Sequence, residues 1–387
     1  MSQGRDDLAH ELASGTPNYS NAVAGAERYV PLIAQTLYSL EQSTEPVYLN
    51  KPLSFTWATG IGKKPRKDWI TNQAVVWDKC MALASQAMAH ADAVHNMLDD
   101  GSGPGARYAE ASVQLKTAAG IFEQLHKEEL PRWVGETSKV PRIPEAEGGV
   151  CEGLAHFCLA EAQQMAIGKA LSSPAATPLT LLAKLSLGVV QLLETAVSTM
   201  RQKAGAAYSN LDSPFLHHIT LHLNVFQGLA CRFLAIHSWN EDKYGLGIAY
   251  MHKACSYIKP RADVTSTGLP ALEGPLAAVA GPVRALQGEF NALRDSYIKD
   301  NSSIYYEPVP NQDELELPTP AIMMKALPRP AAGAPAVLSF RGPGEKPAAG
   351  EGGAEEGEGG GGGGDAAGAG KTDAELAQEL HEKLNAS

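Results

Sequence analysis

Histidine is the residue type whose spacing in this chain comes nearest to a catalytic pattern. The run His217-His218-Ile219-Thr220-Leu221-His222 lies in a segment with helical spacing, so His218 and His222 fall one turn apart on one face. Two imidazoles at that spacing are typical of a zinc pair. A metalloprotease helix would carry glutamate where Ile219 stands, and only His237 is a loose candidate for the third ligand. A metal-dependent hydrolase on a helical scaffold is therefore the alternative to ordinary polar histidines on a helix.

A basic loop, Gly60 to Lys67, is the second stretch with chemical potential, because glycines and lysines can hold phosphate. A P-loop would need glycine where Trp57 stands and serine or threonine where Lys64 stands, so this motif is excluded. The pattern favours a solvated loop. Contact with an anionic membrane is the alternative, and its side chains would be Lys63, Lys64, Arg66 and Lys67.

Nucleophilic catalysis finds no support, since no Gly-x-Ser-x-Gly elbow follows a predicted strand. The five cysteines are odd in number and form no close pair of the kind that binds zinc. They are typical of small buried residues in a reducing cytosol. On the residues alone an enzyme is therefore the weaker class, and we assign no catalytic residue, no metal ligand set and no cofactor.

Composition narrows the class of partner. The formal net charge of −11 argues against nucleic acid, because neutralising phosphates needs a concentrated basic face. The first residues lack the apolar run of a signal peptide, and we find no long uncharged apolar stretch that predicts a membrane span. A cytoplasmic protein is the expectation.

Helical periodicity dominates the chain. Apolar residues recur every three to four positions from Glu27 onwards, the connections are short, and no strict 34-residue repeat is present. A short alternating run, Leu53 to Trp57, predicts a strand or hairpin arm. The predicted helices cover Glu27–Glu41, Trp69–Leu98, Ala106–Val134, Gly149–Ser172, Pro178–Ala207, Pro214–Asn240, Tyr244–Ile258 and Leu269–Ile298.

The ends of the chain differ in composition from its body. Residues 1–26 are interpreted as a loose leader, and residues 327–370 as a disordered tail rich in Pro, Ala, Gly and Glu. At the end, residues 371–387 predict a short amphipathic helix with Leu376, Leu380 and Leu384 on one face. The helical body would then span residues 27–326. A second alternative is a generic scaffold that works through this tail helix.

Four segments together carry a family resemblance. The closing phrase Asp300-Asn301-x-x-Ile304-Tyr305-x-x-x-Val309-Pro310 ends the helical spacing, and it resembles the signature of the Bro domain family. The segments 115–122, continuing to 130–131, and 160–164, continuing to 169–170, are more similar to the Brox branch of that family than to any other branch, that of Alix included. Phe55-Thr56-Trp57 matches a fourth segment near the N-terminus.

The resemblance implies a fold and a function. The fold would be an all-α, curved, boomerang-shaped solenoid of tetratricopeptide-like helix pairs, with a small β element near the N-terminus. The function would be that of a non-enzymatic adaptor in endosomal sorting. Its concave face would hold the C-terminal amphipathic helix of an ESCRT-III subunit of the Snf-seven (charged multivesicular body protein four) type. Recruitment would be to endosomal or nuclear membranes.

The resemblance also assigns the partner-binding residues. The two aliphatic anchors of the family fall on Leu181 and Leu185, and we expect both to be exposed. The neighbouring basic residue falls on Lys169, and Ala166 stands where some members have phenylalanine. Ile304 and Tyr305 would pack the extended segment against the helices. The final residues 384–387 lack the cysteine of a prenylation box, so we expect no lipid anchor of that kind.

Overall fold

The fold is taken from a computed structural model of the chain. It describes residues 2–13, 19–44, 47, 53–63, 70–98, 107–133, 143–173, 177–263, 266–329 and 335–338. The predicted tail helix at 371–387 lies outside these residues, as does most of the predicted tail. All described residues belong to one unit, residues 1–340.

Helices make up most of the described chain, and the long ones pack against those before and after them in sequence. Their apolar stripes meet across short connections, as in a helical solenoid. The prediction of an all-α fold with a small β element is confirmed. The helices are α1 Ser2–Ala13, α2 Tyr19–Gln42, α3 Val75–Leu98, α4 Tyr108–Gln124, α5 Leu130–Arg132, α6 Gly148–Ser172, α7 Leu179–Lys203, α8 Ala206–Ser209, α9 Ser213–Asn240, α10 Tyr244–Ile258 and α11 Ala280–Asp300.

Two of these helices, α7 and α9, are long and apolar enough to cross a membrane. Within the structure, 61% of the most apolar stretch of α7 and 50% of that of α9 are buried against other helices. Core helices of a helical array meet the same criteria of length and composition, so the two helices are weak indicators of a membrane span.

The β element is a two-stranded antiparallel pair in the described region. Strand β1, Phe55–Trp57, pairs with β2, Ile70–Asn72, so that Thr56 faces Thr71 and their hydroxyls lie 2.8 Å apart. The loop after β1 is fastened by the buried carboxylate of Glu145, which accepts hydrogen bonds from Thr59 and from the backbone of Ile61. The small β element predicted for this region is therefore present.

The N-terminal leader was predicted wrongly. In place of a loose segment the chain forms α1, and α2 begins at Tyr19 rather than at Glu27. The physical reason is that Leu8 is buried and lies against Gly25 of α2, so that α1 packs on α2. Arg5 adds an ion pair with Asp78 of α3, with 3.2 Å between Nε and Oδ1.

The start of the last helix was also predicted too early in the chain. The sequence predicted helix from Leu269, whereas the structure has a 3₁₀ segment, Gly274–Val279, before α11 begins at Ala280. Pro270 and Pro275 remove backbone donors, and Gly274 adopts a positive φ of 55° that interrupts helical geometry.

After α11, a π-helical turn at Asn301–Tyr305 ends the helices, and the chain becomes mostly extended. We call the described part of this segment, residues 306–329 and 335–338, the strap. It meets the helices in reverse chain order. The strap contacts are Lys253 Nζ to Gln312 O (3.1 Å, α10), Ala321 N to Lys184 O (2.9 Å, α7), Leu327 N to Lys116 O (3.0 Å, α4) and Leu338 N to Ser39 Oγ (2.8 Å, α2).

Glycines make room for the strap at three of its crossings. A methyl group at Gly245, Gly188 or Gly120 would overlap the carbonyl oxygen of Pro308, Ala321 or Leu327, respectively. At Gly120 the nearest atoms belong to the strap, at Leu327 and Pro328. Since the strap extends to Leu338, the prediction that a tail begins at residue 327 places its start too early.

Replacing Gly188 by alanine tests whether the strap depends on these glycines. In a helix interior, Gly→Ala normally stabilises by about 0.5–1 kcal/mol. At Gly188 the added methyl group also meets the side chain of Gln163, so we expect a loss of about 1–3 kcal/mol. Urea denaturation followed by circular dichroism measures the change.

Gly288→Ala is the matched control, because Gly288 lies in α11 with open space around its Cα. We expect this variant to be as stable as the wild type or more so. Equal stabilisation by both substitutions would contradict the close contact between α7 and the strap.

Candidate functional site

The candidate site is built on the hairpin of α6 and α7, which a single buried amide joins to the strap. Gln163 on α6 donates from Nε2 to the carbonyl oxygens of Leu185 (2.7 Å) and Ala321 (2.9 Å). Its Oε1 accepts from the backbone N–H of Met323 at 3.0 Å. Because both polar atoms of this side chain are satisfied, a fully buried glutamine is tolerated here.

Three of the four predicted binding residues lie at the surface of this hairpin. Gln163 and Leu185 mark adjacent points on antiparallel helices. Ala166 and Lys169 follow Gln163 on α6, and Leu181 precedes Leu185 on α7, so all three are displaced towards the same end of the hairpin. Lys169 is exposed, Ala166 is half-buried, and Leu181 has 40% of its surface exposed.

Leu185 departs from the prediction, because only 5% of its surface is exposed. It lies between Leu181 and Gly188 on one stripe of α7, and Gly188 is the point where the strap crosses that helix. The expectation of two exposed leucines one turn apart is therefore wrong for this structure. Leu181 is the exposed member of the pair, and Leu185 belongs to the core.

The strap contributes apolar side chains that the sequence analysis missed. Ile322 and Met323 are 44% and 62% exposed, immediately after the point where Ala321 binds Lys184. Met324 is less exposed and packs against the core. A signal was present in the sequence, since Ile322-Met323-Met324 is an apolar run in a proline-bounded extended segment that has no helical stripe to join.

Together these side chains form a candidate apolar surface, defined here as Ala166, Leu181, Ile322 and Met323, with Lys169 at its edge. Two helices and the strap supply it, and hydrogen bonds of Gln163 fix their relative positions. Exposed apolar side chains from three elements, rimmed by a lysine, are typical of a protein-interaction surface.

The closing signature has a structural role in which Asn301 is central. Its Nδ2 donates to Glu307 O at 2.9 Å, and its Oδ1 accepts from Glu307 N at 3.0 Å. The backbone N–H of Tyr306 donates to Asn301 O at 2.7 Å. Tyr306 has a left-handed backbone conformation, with a φ of 56°. These bonds reverse the chain from α11 into the strap. Of the other signature positions, Asp300 ends α11, and Val309 and Pro310 belong to the strap.

The aromatic signature residue packs as predicted, whereas its neighbour does not. Tyr305 stacks on Tyr244 with ring centroids 3.5 Å apart and meets Trp239 edge-on at 5.8 Å. Ile304 is largely exposed and does not pack the extended segment onto the helices.

The histidines of α9 are brought together, but without a third ligand. The rings of His218 and His222 lie 4.3 Å apart, and His222 Nδ1 is 3.0 Å from the amide oxygen of Gln164. Among the described residues, no group of three or more His, Cys, Asp or Glu side chains could hold a metal ion. The structure does not bring His237 into such a group, so the metal-dependent alternative lacks its site in the described part of the chain.

Of the four basic side chains of the loop, Lys63 is the one that lies within the described residues. Its Nζ donates to Ser209 O at 2.5 Å, and its backbone N–H donates to Asn210 O at 2.8 Å. The contact pins the start of the loop to the connection after α8. Lys64, Arg66 and Lys67 lie outside the described residues, so membrane contact through this loop remains a prediction.

Comparisons with known proteins identify the fold. The BRO1-like domain model matches residues 30–340, and no curated protein matches significantly. A solved structure titled as an ALIX BRO1 CHMP4C complex aligns at 18% identity with a TM-score of 0.61, covering 84% of this chain and 85% of that one.

Two further solved structures share this fold. One, titled as ALIX in complex with the SIVmac239 PYKEVTEDL late domain, aligns at 17% identity with a TM-score of 0.60, covering 84% of this chain and 44% of that one. Another, titled as the structural basis for endosomal targeting by the Bro1 domain, aligns at 17% identity with a TM-score of 0.55, covering 82% and 83%. These matches do not single out the Brox branch that the sequence segments favoured.

The histidine pair predicts a pH dependence of stability. Burial, together with the neighbouring His218 and His95, lowers the pKa of His222 to about 3. An unfolded histidine titrates near 6.5, so the unfolded state binds the extra proton first as the pH falls. The free energy of unfolding is therefore unaffected by this group above about pH 6.5, and it is lower by about 2 kcal/mol at pH 5.

Urea denaturation at pH 7.5 and pH 5 measures this loss. We expect His222→Gln to reduce the difference between the two pH values, because glutamine does not titrate. His10→Gln is the control, since His10 is exposed on α1. An unchanged pH dependence in His222→Gln would refute the assignment.

Proposed function

The chain belongs to the BRO1-like domain family, and from that membership we propose that it is a non-enzymatic adaptor of the ESCRT machinery. Its partner is the C-terminal amphipathic helix of an ESCRT-III subunit of the Snf-seven (charged multivesicular body protein four) type. The proposal places the chain in the cytoplasm, with recruitment to endosomal or nuclear membranes during endosomal sorting or membrane remodelling.

The observation that carries this proposal is the candidate apolar surface on α6, α7 and the strap. It contains Leu181, one of the two positions to which the family resemblance assigns aliphatic anchors, and Ala166, which stands where some members have phenylalanine. A structure of the same fold is titled as a complex with CHMP4C, which supports the same class of partner for this chain.

The physical mode would be that of a helix laid on an apolar surface. The leucine-type anchors of an amphipathic helix would cover Leu181, Ile322 and Met323, and Lys169 is placed to meet an acidic side chain at the edge. A fully buried aliphatic side chain contributes about 1.5–3 kcal/mol, and part of this gain is offset by the cost of association. With Leu185 in the core and alanine at position 166, we expect weak, reversible binding.

Leu181→Asp tests the surface directly. A carboxylate at this exposed position would have to lose its hydration when the partner helix covers it, so we expect binding to weaken at least tenfold. Fluorescence anisotropy with a labelled C-terminal helix of CHMP4C measures the affinity of the full chain.

Leu171→Asp is the matched control, because Leu171 is also an exposed leucine of α6. Leu171 lies five positions after Ala166 on the helix, so its side chain points about 140° away from that of Ala166 around the helix axis. We expect this variant to bind like the wild type. Equal binding by Leu181→Asp and the wild type would place the partner elsewhere.

Ala166→Phe provides a test by gain of affinity. Position 166 is half-buried on α6, at the same end of the hairpin as Leu181, so a phenylalanine there would add apolar area to the proposed contact. We expect about tenfold tighter binding in the same anisotropy assay. The gain should vanish when Leu181→Asp is added, because the two side chains would serve one contact. An affinity unchanged by Ala166→Phe would show that this position lies outside the interface.

A further inference from the structure

A groove lies between α10 and α11, the two helices that precede the strap. Its volume is about 760 Å³, within the range of about 300–1,000 Å³ that is usual for ligand-binding clefts. Four side chains of α11 line it at intervals of three or four positions, so they share one face of that helix. They are Gln287, Asn291, Arg294 and Ile298.

The charged side chains of the groove are mainly basic. His252 of α10 and Lys259, which follows that helix, line the wall opposite Arg294. Asp295 is the one acidic residue among the described residues that line the groove. Since the chain as a whole has a formal net charge of −11, a groove with this balance of charge is unusual in it.

The fold compensates these positive charges only weakly. Arg294 donates from Nε and Nη2 to Oδ1 of Asp295, at 3.0 and 2.8 Å. Asp295 is the next residue in the chain and its side chain is 65% exposed, so the pair contributes little to stability and can be exchanged for another carboxylate. Within the described part of the chain, Lys259 forms no ion pair.

The environment of His252 shows the same excess of positive charge. Burial, and after it the charge of Arg294, lowers the pKa of this imidazole. A carboxylate bound between the two side chains would oppose the second effect and raise that pKa. An acidic ligand therefore complements the groove electrostatically.

The groove also offers groups that suit a peptide backbone. The amide side chain of Asn291 is exposed in the middle of the α11 face, and an amide can donate to a carbonyl while it accepts from an N–H. At one end, Gln287 Nε2 donates to the carbonyl oxygen of Ile258 at 2.5 Å and so joins the two helices. At the other end, Ile298 has 39% of its surface exposed and offers an apolar contact.

The length of the groove matches a short extended segment. The α11 face from Gln287 to Ile298 spans about 16 Å, because a helix rises about 1.5 Å per residue. An extended chain rises about 3.3 Å per residue, so about five residues of it would cover this face.

We propose that this groove binds an extended, acidic peptide segment of a partner protein. Carboxylates of the segment bind Arg294 and Lys259, its backbone bonds with Asn291, and an aliphatic side chain covers Ile298. The groove shares no residue with the candidate apolar surface, so the proposal does not depend on the proposed ESCRT-III interaction.

Fluorescence anisotropy with a labelled pentapeptide tests the proposal on the full chain. The probe is fluorescein-labelled Glu-Glu-Ile-Glu-Glu, and the control peptide carries glutamine in place of each glutamate. We expect the acidic probe to bind at least about tenfold more tightly than the control peptide, with an affinity that falls as salt is added.

Reversal of two charges tests the basic side chains. Lys259 is exposed and Arg294 is half-buried, so we expect Lys259→Glu/Arg294→Glu to keep its circular dichroism spectrum and to bind the probe at least about tenfold more weakly. Arg284→Glu/Lys299→Glu is the matched control, because both residues are exposed on α11 and neither lines the groove. We expect this control to bind like the wild type. Equal losses in the two double variants would assign the effect to net charge and overturn the proposal.

A third variant blocks the groove without a change of charge. Asn291→Trp places a large side chain in it, so we expect the probe to lose its binding. Ala292→Trp is the control, since Ala292 is an exposed neighbour that does not line the groove. Unchanged binding by folded Asn291→Trp, displacement of the probe by inorganic phosphate at constant ionic strength, or failure of the wild type to bind the probe would each overturn the proposal.

Discussion

The close approach of the strap to the helices is the constraint on which the rest of the structure depends. An extended segment makes few hydrogen bonds of its own, so its backbone groups must find partners where it leaves water. Here the backbone carbonyls of Lys184 and Lys116 accept hydrogen bonds from backbone N–H groups of the strap. The side chain of Gln163 donates to the carbonyl oxygen of Ala321 and accepts from the backbone N–H of Met323. Gly188 and Gly120 allow the backbone of the strap to approach the helices closely. Glycine has a lower helix propensity than alanine, so both positions lower the intrinsic stability of their helices.

This constraint shapes the candidate surface. Because the strap crosses α7 at Gly188, Leu185 belongs to the core while Leu181, one turn earlier, stays exposed. The same crossing brings Ile322 and Met323 to the edge of the hairpin, so an apolar surface arises from segments more than a hundred residues apart in sequence. A surface of this kind cannot be read from one helical stripe, because two of its members belong to no helix.

The sequence predicted those parts of the fold that local chemistry determines. Proline at 178 and 214 marked the starts of α7 and α9, and the span of α10 was predicted to the residue. The end of the helices at the closing phrase was predicted because Pro308 and Pro310 fix φ and remove backbone donors. Predictions failed where distant segments decide burial. Leu8 and Arg5 order α1 only because Gly25, Phe55 and Asp78 are folded around them, and Leu185 is buried beside a strap that follows it by more than a hundred residues.

The reverse path of the strap has a consequence for how the chain is completed. In a simple solenoid each repeat contacts only its neighbours, so assembly can proceed from one end as the chain is synthesised. Here the strap-binding surfaces at Gly120 and Gly188 stay unfilled until residues 321–327 have been synthesised. The hydrogen bond between Ser39 on α2 and Leu338 can form only after residue 338 has been added. At about 5–20 residues per second, the interval between synthesis of α2 and its strap contact is tens of seconds or more. The surfaces of the early helices that the strap covers therefore stay open until nearly the whole domain has been made.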